Sequence, residues 1–90
     1  MIFTVVGMRF YGGHIFSIND SIIIKKDPSN KYDNNAIKVL VKSKNDRDSV
    51  YKHVAYVARD YTQLLAENLD IPIRFISNYR ASTTLAFDID

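Results

Sequence analysis

The side chains with the clearest chemical potential are Tyr32 and Asp33, side by side in the stretch Asp27 to Val39, DPSNKYDNNAIKV. Nine residues of this stretch, Asp27 to Asn35, are mostly turn formers. Asp, Asn and Ser fold a chain back by bonding their own backbone, and Pro fixes one torsion in advance. The following residues read as a strand, with Ile37, Val39 and Val41 on one face and Lys38 and Lys42 on the other. A rigid polar loop fastened to a buried strand can hold an aromatic ring and a carboxylate at fixed positions, which is where binding residues tend to lie. The structural alternative is that Asp33, Asn34 and Asn35 only close the turn through their side chains.

Two further places offer chemistry. Arg9 is followed by Phe10 and Tyr11 at the end of an apolar segment, and Gly12 and Gly13 turn the chain. A guanidinium beside aromatic rings suits a phosphate and a base. The alternative is an arginine whose stem lies over core aromatics. Arg59 stands just before an expected helix, where free amides favour an anion, although Asp60 occupies some of those donors.

Several reaction classes fall away. Asp27 to Lys38 has the length of a calcium loop, but Tyr32 stands where glycine is needed and Lys38 where a bidentate glutamate is needed. His14 and His53 have no partner at metal-ligand spacing, so each reads as a surface or hydrogen-bonded histidine. A metal-dependent nuclease would want a strand carboxylate two residues before Lys38, and Ala36 stands there. The chain has no glycine-rich phosphate loop and no serine with an evident base, so an enzyme is not expected, and no cofactor is implied.

These residues need a scaffold. Ile2 to Met8 reads as a first strand, apolar on both faces and therefore central, with Arg9 at its end. His14 to Asp20 reads as a loop or short strand, Ser21 to Lys26 as a second strand ending on exposed Lys25 and Lys26, and Ala36 to Val41 as the third. Ser43 to Ser49 is a charged hairpin tip, and Val50 to Val57 a fourth strand with Val54 facing inward. Asp60 to Leu69 is the helix: Asp60 and Gln63 have capping-box spacing, and Tyr61, Leu64, Leu65 and Leu69 form its apolar stripe. Ile71, Ile73 and Phe75 alternate on a fifth strand and Leu85, Phe87 and Ile89 on a sixth, each with one wet face, joined by a turn around Asn78 to Ser82. The expectation is a mainly β fold with one helix (α+β): a small, closed or partly open six-stranded barrel with the helix between strands four and five.

The chain of 90 residues suits one domain, residues 1–90, and its 47% hydrophobic and 24% charged content is that of a folded protein. Absence of cysteine excludes disulfides and thiolate metal sites and fits an intracellular setting. No apolar run is long enough to cross a bilayer, so no membrane partner is expected, and the apolar start reads as a strand and not a signal peptide. Twelve basic against ten acidic residues leave a net charge of +2. Non-specific coating of nucleic acid usually needs more, so any nucleic-acid contact should be local and use few phosphates.

Three segments together resemble the HIRAN domain: VVGMRFYGG (Val5 to Gly13), DPSNKYDNNAIKV, and HVAYVARDYTQLLA (His53 to Ala66). That family occurs at the N-terminus of Swi/Snf-type translocases of fork remodelling and as stand-alone proteins in bacteria and phages. The resemblance implies an OB-like barrel that grips the 3′-hydroxyl end of single-stranded DNA, in repair or replication-fork processing. By resemblance, Tyr32 contacts the terminal nucleotide and Asp33 accepts the 3′-hydroxyl. Arg9 matches a basic residue of the first strand, Arg59 a basic residue before the helix, and Asn30 a residue shaping the pocket. The chain departs from the family pattern at three places. Phe10 replaces a tyrosine that contacts DNA, keeping the ring without the hydroxyl. Tyr56 replaces a histidine near the terminal phosphate, so it can donate one hydrogen bond but cannot become a cation. Ala55 replaces a common glycine. The implied partners are a single-stranded DNA 3′ end and a separately encoded translocase, helicase or nuclease. The other expectation is a protein-interaction adaptor or inhibitor that keeps the fold without end binding. The exchanges at Phe10 and Tyr56, the modest charge and six tyrosines suit that role.

Overall fold

The computed structural model describes residues 1–43, 50–67, 69, 73–79 and 82–87. Among them are six strands: β1 (Ile2–Val6), β2 (Asp20–Lys26), β3 (Ile37–Ser43), β4 (Lys52–Val57), β5 (Ile73–Tyr79) and β6 (Ser82–Phe87). One α-helix, α1 (Arg59–Leu65), follows β4, and a short 3₁₀ turn (Met8–Tyr11) follows β1. The strands form one sheet in the order β2-β3-β4-β1-β6-β5, antiparallel throughout. It curls into a half-barrel, with helix and strand count as expected. Of the expected Ser43–Ser49 tip, Ser43 ends β3 and residues 44–49 lie outside the described residues, as do Ile71, Ile89 and the centre of the β5–β6 turn.

Alternation decides the inner face. Phe3 and Val5 of β1, Ile22 and Ile24 of β2, and Ile37, Val39 and Val41 of β3 are buried together with Val54, Leu85 and Phe87. Phe16, just ahead of β2, is also buried and stacks on Phe75 of β5 at 6.4 Å, so it joins the two outer strands of the sheet across the interior. Two irregularities help the sheet to bend. Ser77 pairs with Thr84 although Phe75 pairs with Leu85, which leaves Ile76 as an extra residue on β5. Leu40 pairs with His53 although Val39 pairs with Ala55, which leaves Val54 as an extra residue on β4. Such bulges bend and twist the strand that carries them.

The structure corrects several expectations. The first strand ends at Val6, not Met8. Gly7 adopts φ 83° and Gly12 φ 87°, a region glycine enters without penalty, and between them the chain coils into the 3₁₀ turn. Arg9 and Phe10 therefore ride on a turn and not on a strand. β1 is central in the sheet, but its outer face is open, with Ile2 and Val6 exposed.

The helix begins one residue early. The Ala58 amide still bonds Thr4 O of β1 at 3.0 Å, so the chain leaves the sheet at Ala58, which is the N-cap, and no side chain caps the helix. Asp60 lies inside the first turn, where its charge still favours the positive helix end. The buried stripe runs through Thr62 and Leu65, with Tyr61 and Leu69 packed partly beneath it. Leu64 is 62% exposed, because one helical step of about 100° carries it off that stripe. Ala86 is buried instead of facing water, since β6 lies between β1 and β5 and pairs there with Ile2 and Arg74.

Candidate nucleic-acid interface

The loop between β2 and β3 is closed at its base by the Asp27 amide donating to Ala36 O at 2.9 Å. Inside it, one side chain organises the turn. Asn30 Oδ1 accepts from the amides of both Tyr32 (2.9 Å) and Asp33 (3.0 Å), while the Asn30 amide donates to Asp27 O. Asn30 is thus a shaping residue, fixing the backbone on which Tyr32 and Asp33 stand. Tyr32 projects its ring outward, 89% exposed.

The two readings of Asp33 divide its carboxylate between them. Oδ1 accepts from the Asn35 amide at 2.9 Å, the self-closing turn bond. Oδ2 faces Arg59 Nε at 3.6 Å, across from the first residue of α1. The Arg59 side chain is 78% exposed and that of Asp33 23%. A pair this open to water contributes little to stability and can rearrange. A groove of about 760 Å³ opens beside them, between the loop and α1, bounded by Lys26, Asn34, Asn35, Arg59 and Gln63.

On the 3₁₀ turn, the Arg9 guanidinium lies over the Phe10 ring at 4.8 Å. Phe10 is 73% exposed, so Arg9 covers a solvent-facing ring and not a core one. The next residue, Tyr11, packs on His53 (4.2 Å) and Tyr56 (5.9 Å) of β4, and these two rings meet edge to face at 4.7 Å. Tyr56 in turn donates its hydroxyl proton to Asp27 Oδ2 at 2.7 Å. Tyr56 therefore stands between the two candidate surfaces, touching Tyr11 of one and Asp27 of the other. Its proton is already engaged within the protein.

The outer face of the sheet continues this line. Lys25 pairs across with Lys38, Lys38 with Tyr56, and Tyr56 with Val6, just before the Arg9 turn. Directly opposed residues share a face, so Lys38 stands beside Tyr56 and Lys25 beyond it in the same row. The Tyr56 bond, with help from Ser29, Lys38 and Asn30, holds the Asp27 carboxyl below its ordinary range against the opposing effect of burial. Burial and the hydrogen bonds to Asp27 and Tyr11 push Tyr56 up, so its proton is retained. Burial lowers His53, partly opposed by its bond to Ala55 O at 3.0 Å; because a carbonyl only accepts, Nε2 carries the proton. His14 bonds Asp20 at 2.8 Å.

The residue pattern points to Arg9, Phe10, Tyr32, Asp33 and Arg59, and the resemblance adds Asn30 and Tyr56. The structure brings Asn30, Tyr32, Asp33 and Arg59 to one loop and helix start, and Arg9 and Phe10 to the 3₁₀ turn, with Tyr56 between. Asp27 is not among these residues, Tyr11 enters there only as a second ring beside Arg9, and His53 only as a hydrogen-bonded or surface histidine. Asp27 read as one turn former among many, and nothing in local spacing marks a bond to a residue 29 positions away.

The chain is a small curled β half-barrel that carries polar and aromatic side chains on the β2–β3 loop and on the 3₁₀ turn after β1. The family model of the HIRAN domain matches residues 1–84. The chain belongs to the HIRAN domain family, which is associated with DNA binding. Among solved structures it is similar to the HIRAN domain of human HLTF, with 26% identity and a TM-score of 0.60, over 94% of this chain and 69% of that one. No curated protein matches it. Among the described residues no helix is long and apolar enough to cross a membrane.

Proposed function

We propose that this HIRAN domain binds single-stranded DNA and reads its free 3′-hydroxyl end, as a module of DNA repair or fork processing that works beside a separate translocase, helicase or nuclease. The observation that carries the reading is the divided carboxylate of Asp33. One oxygen fixes the loop, and the other faces the exposed Arg59, with the exposed Tyr32 as the preceding residue. A lone carboxylate is repelled by phosphates, so it is out of place on a DNA surface unless it meets a donor. A terminal sugar offers a hydroxyl there, whereas an internal sugar is esterified at that oxygen.

In this reading Asp33 Oδ2 accepts the terminal hydroxyl, and Arg59 turns from the carboxylate to the nearest phosphate. Tyr32 and Phe10 stack on bases, each contact contributing about 1–3 kcal/mol. Arg9 supports the phosphate beside Phe10, and Lys38 and Lys25 extend the positive face past Tyr56. A hydrogen bond to a charged acceptor contributes about 1.5–3 kcal/mol, which gives about ten- to hundredfold preference for a free end. A 3′-phosphate brings like charges together and binds worse.

Anisotropy titration of short single strands ending in 3′-hydroxyl or 3′-phosphate tests this directly. Asp33→Asn keeps an oxygen for the Asn35 amide but loses the charge, so it should abolish most of the preference while remaining folded. Tyr32→Ala should weaken both strands alike. Equal affinity of the wild type for the two ends refutes end reading, and absence of any salt-sensitive binding selects the protein-interaction role instead.

A further inference from the structure

The loop that carries Asp33 is held to the sheet at its base by main-chain bonds and at its side by the long-range side-chain bond from Tyr56 to Asp27. Tyr56 comes from β4, the strand next to β3, and its ring is wedged against Tyr11 and His53. The hydroxyl cannot swing freely while the ring is packed there. Asp27 is the hinge residue of the loop: its amide bonds Ala36 O, its carbonyl accepts from Asn30, and its other carboxylate oxygen accepts from Ser29. Moving Asp27 therefore moves Asn30, and Asn30 sets the amides of Tyr32 and Asp33.

We propose that the Tyr56–Asp27 hydrogen bond is a strut that sets the position of the whole loop, and that Tyr56 serves end recognition as a positioning residue without touching DNA. The part concerning DNA rests on the functional reading above; the strut itself does not. The chain of contacts is continuous from the 3₁₀ turn through Tyr11, Tyr56, Asp27 and Asn30 to Asp33. It also gives the Phe10 surface and the Asp33 surface a common reference point, so that a strand gripped at one is presented in register to the other. The shifted titration of both partners agrees with a bond that stays formed across neutral pH.

The test uses the full chain with Tyr56→Phe, Asp27→Ala and the double variant, in two measurements. In the free protein, amide resonances and exchange rates of Tyr32, Asp33 and Asn35 are recorded. With DNA, affinity is measured for 3′-hydroxyl and 3′-phosphate strands. The strut predicts that Tyr56→Phe shifts the three amides and accelerates their exchange. It also predicts that the end preference falls from about ten- to hundredfold to within about threefold, with affinity for the 3′-phosphate strand changed less than about twofold. Asp27→Ala should do at least as much, since it also removes the acceptor of Ser29, and the double variant no more than Asp27→Ala alone, since the Tyr56 bond is already broken there. Unchanged amides in Tyr56→Phe overturn the strut. An equal loss for both strands in Tyr56→Phe, added to that of Asp27→Ala, also overturns it, because that is the signature of a direct contact with DNA. If the wild type shows no end preference, the functional reading fails and the amides alone decide whether the strut exists.

Discussion

Replacing Asn30 by alanine isolates the device that shapes the loop. The change deletes the two bonds from the Tyr32 and Asp33 amides, at 2.9 and 3.0 Å, and leaves the Asn30 main-chain bond to Asp27 in place. A hydrogen bond of this kind contributes a net of about 0.5–1.5 kcal/mol. Tyr32 is exposed and its amide can turn to water, while Asp33 is half-buried, so the lower part of the range applies to the first bond and the middle to the second. The sum is about 1.5 kcal/mol. With a urea slope of about 1 kcal/mol/M for so small a domain, the unfolding midpoint should fall by about 1.5 M. Asn30→Asp supplies the same acceptor but loses the amide donor beside the Asp27 carboxylate, so it should fall in between. Urea unfolding followed by tyrosine fluorescence gives the midpoint, and hydrogen exchange at the Tyr32 and Asp33 amides gives the local effect. If Asn30→Ala lies within about 0.3 kcal/mol of the wild type and those two amides stay protected, Asn30 does not organise the loop and the geometry argued for Asp33 loses its support.

Two other outcomes follow from packing and titration. Leu65→Ala should cost about 2–5 kcal/mol, as for a fully buried leucine, whereas Leu64→Ala should cost less than about 0.5 kcal/mol; thermal unfolding of both variants reads the helix face, and the reverse order would put the stripe on Leu64. His53 is held below its ordinary value of 6.5 by burial, so the unfolded chain takes up its proton first. Its contribution to stability is complete above pH 6.5 and is lost as pH falls through its lower folded value; urea midpoints measured from pH 7.5 to 5 should decline, and His53→Gln should flatten that decline.

Much of the scaffold was legible because it rests on short-range rules. Alternation on β3 identified Ile37, Val39 and Val41 as inward, and the run of turn formers identified the loop before it. What was not legible depended on contacts distant in the chain. Leu64 and Leu65 are equivalent in sequence, and only the packing of α1 on the sheet chooses between them. The early helix start follows from a bond between Ala58 and Thr4, 54 residues apart. Ala86 looked wet from alternation alone, and its small side chain is buried between the larger cross-strand neighbours Ile2 and Arg74. At the site, the resemblance supplied residue types, but spacing could not distribute the Asp33 oxygens between the Asn35 amide and Arg59, nor reveal that the Tyr56 proton is already given to Asp27.

The bulge on β4 ties these observations together. In a regular strand, residues three apart point to opposite faces. His53 and Tyr56 are three apart, yet their rings meet at 4.7 Å on the outer face. They can do so because Val54 is the extra residue: it and Ala55 are both buried in succession, and the alternation resumes with Tyr56 outward, opposite Lys38. If the same residues paired regularly, with no bulge at Val54, an outward Tyr56 would send His53 into the core, and Tyr11 would lose the ring on which the 3₁₀ turn rests. The same local irregularity thus bends the sheet toward a barrel, seats the Arg9–Phe10 turn and aims a hydroxyl at Asp27. A chain this short has few residues to spare for separate supports, and a single bulged strand supplies the common support for both surfaces.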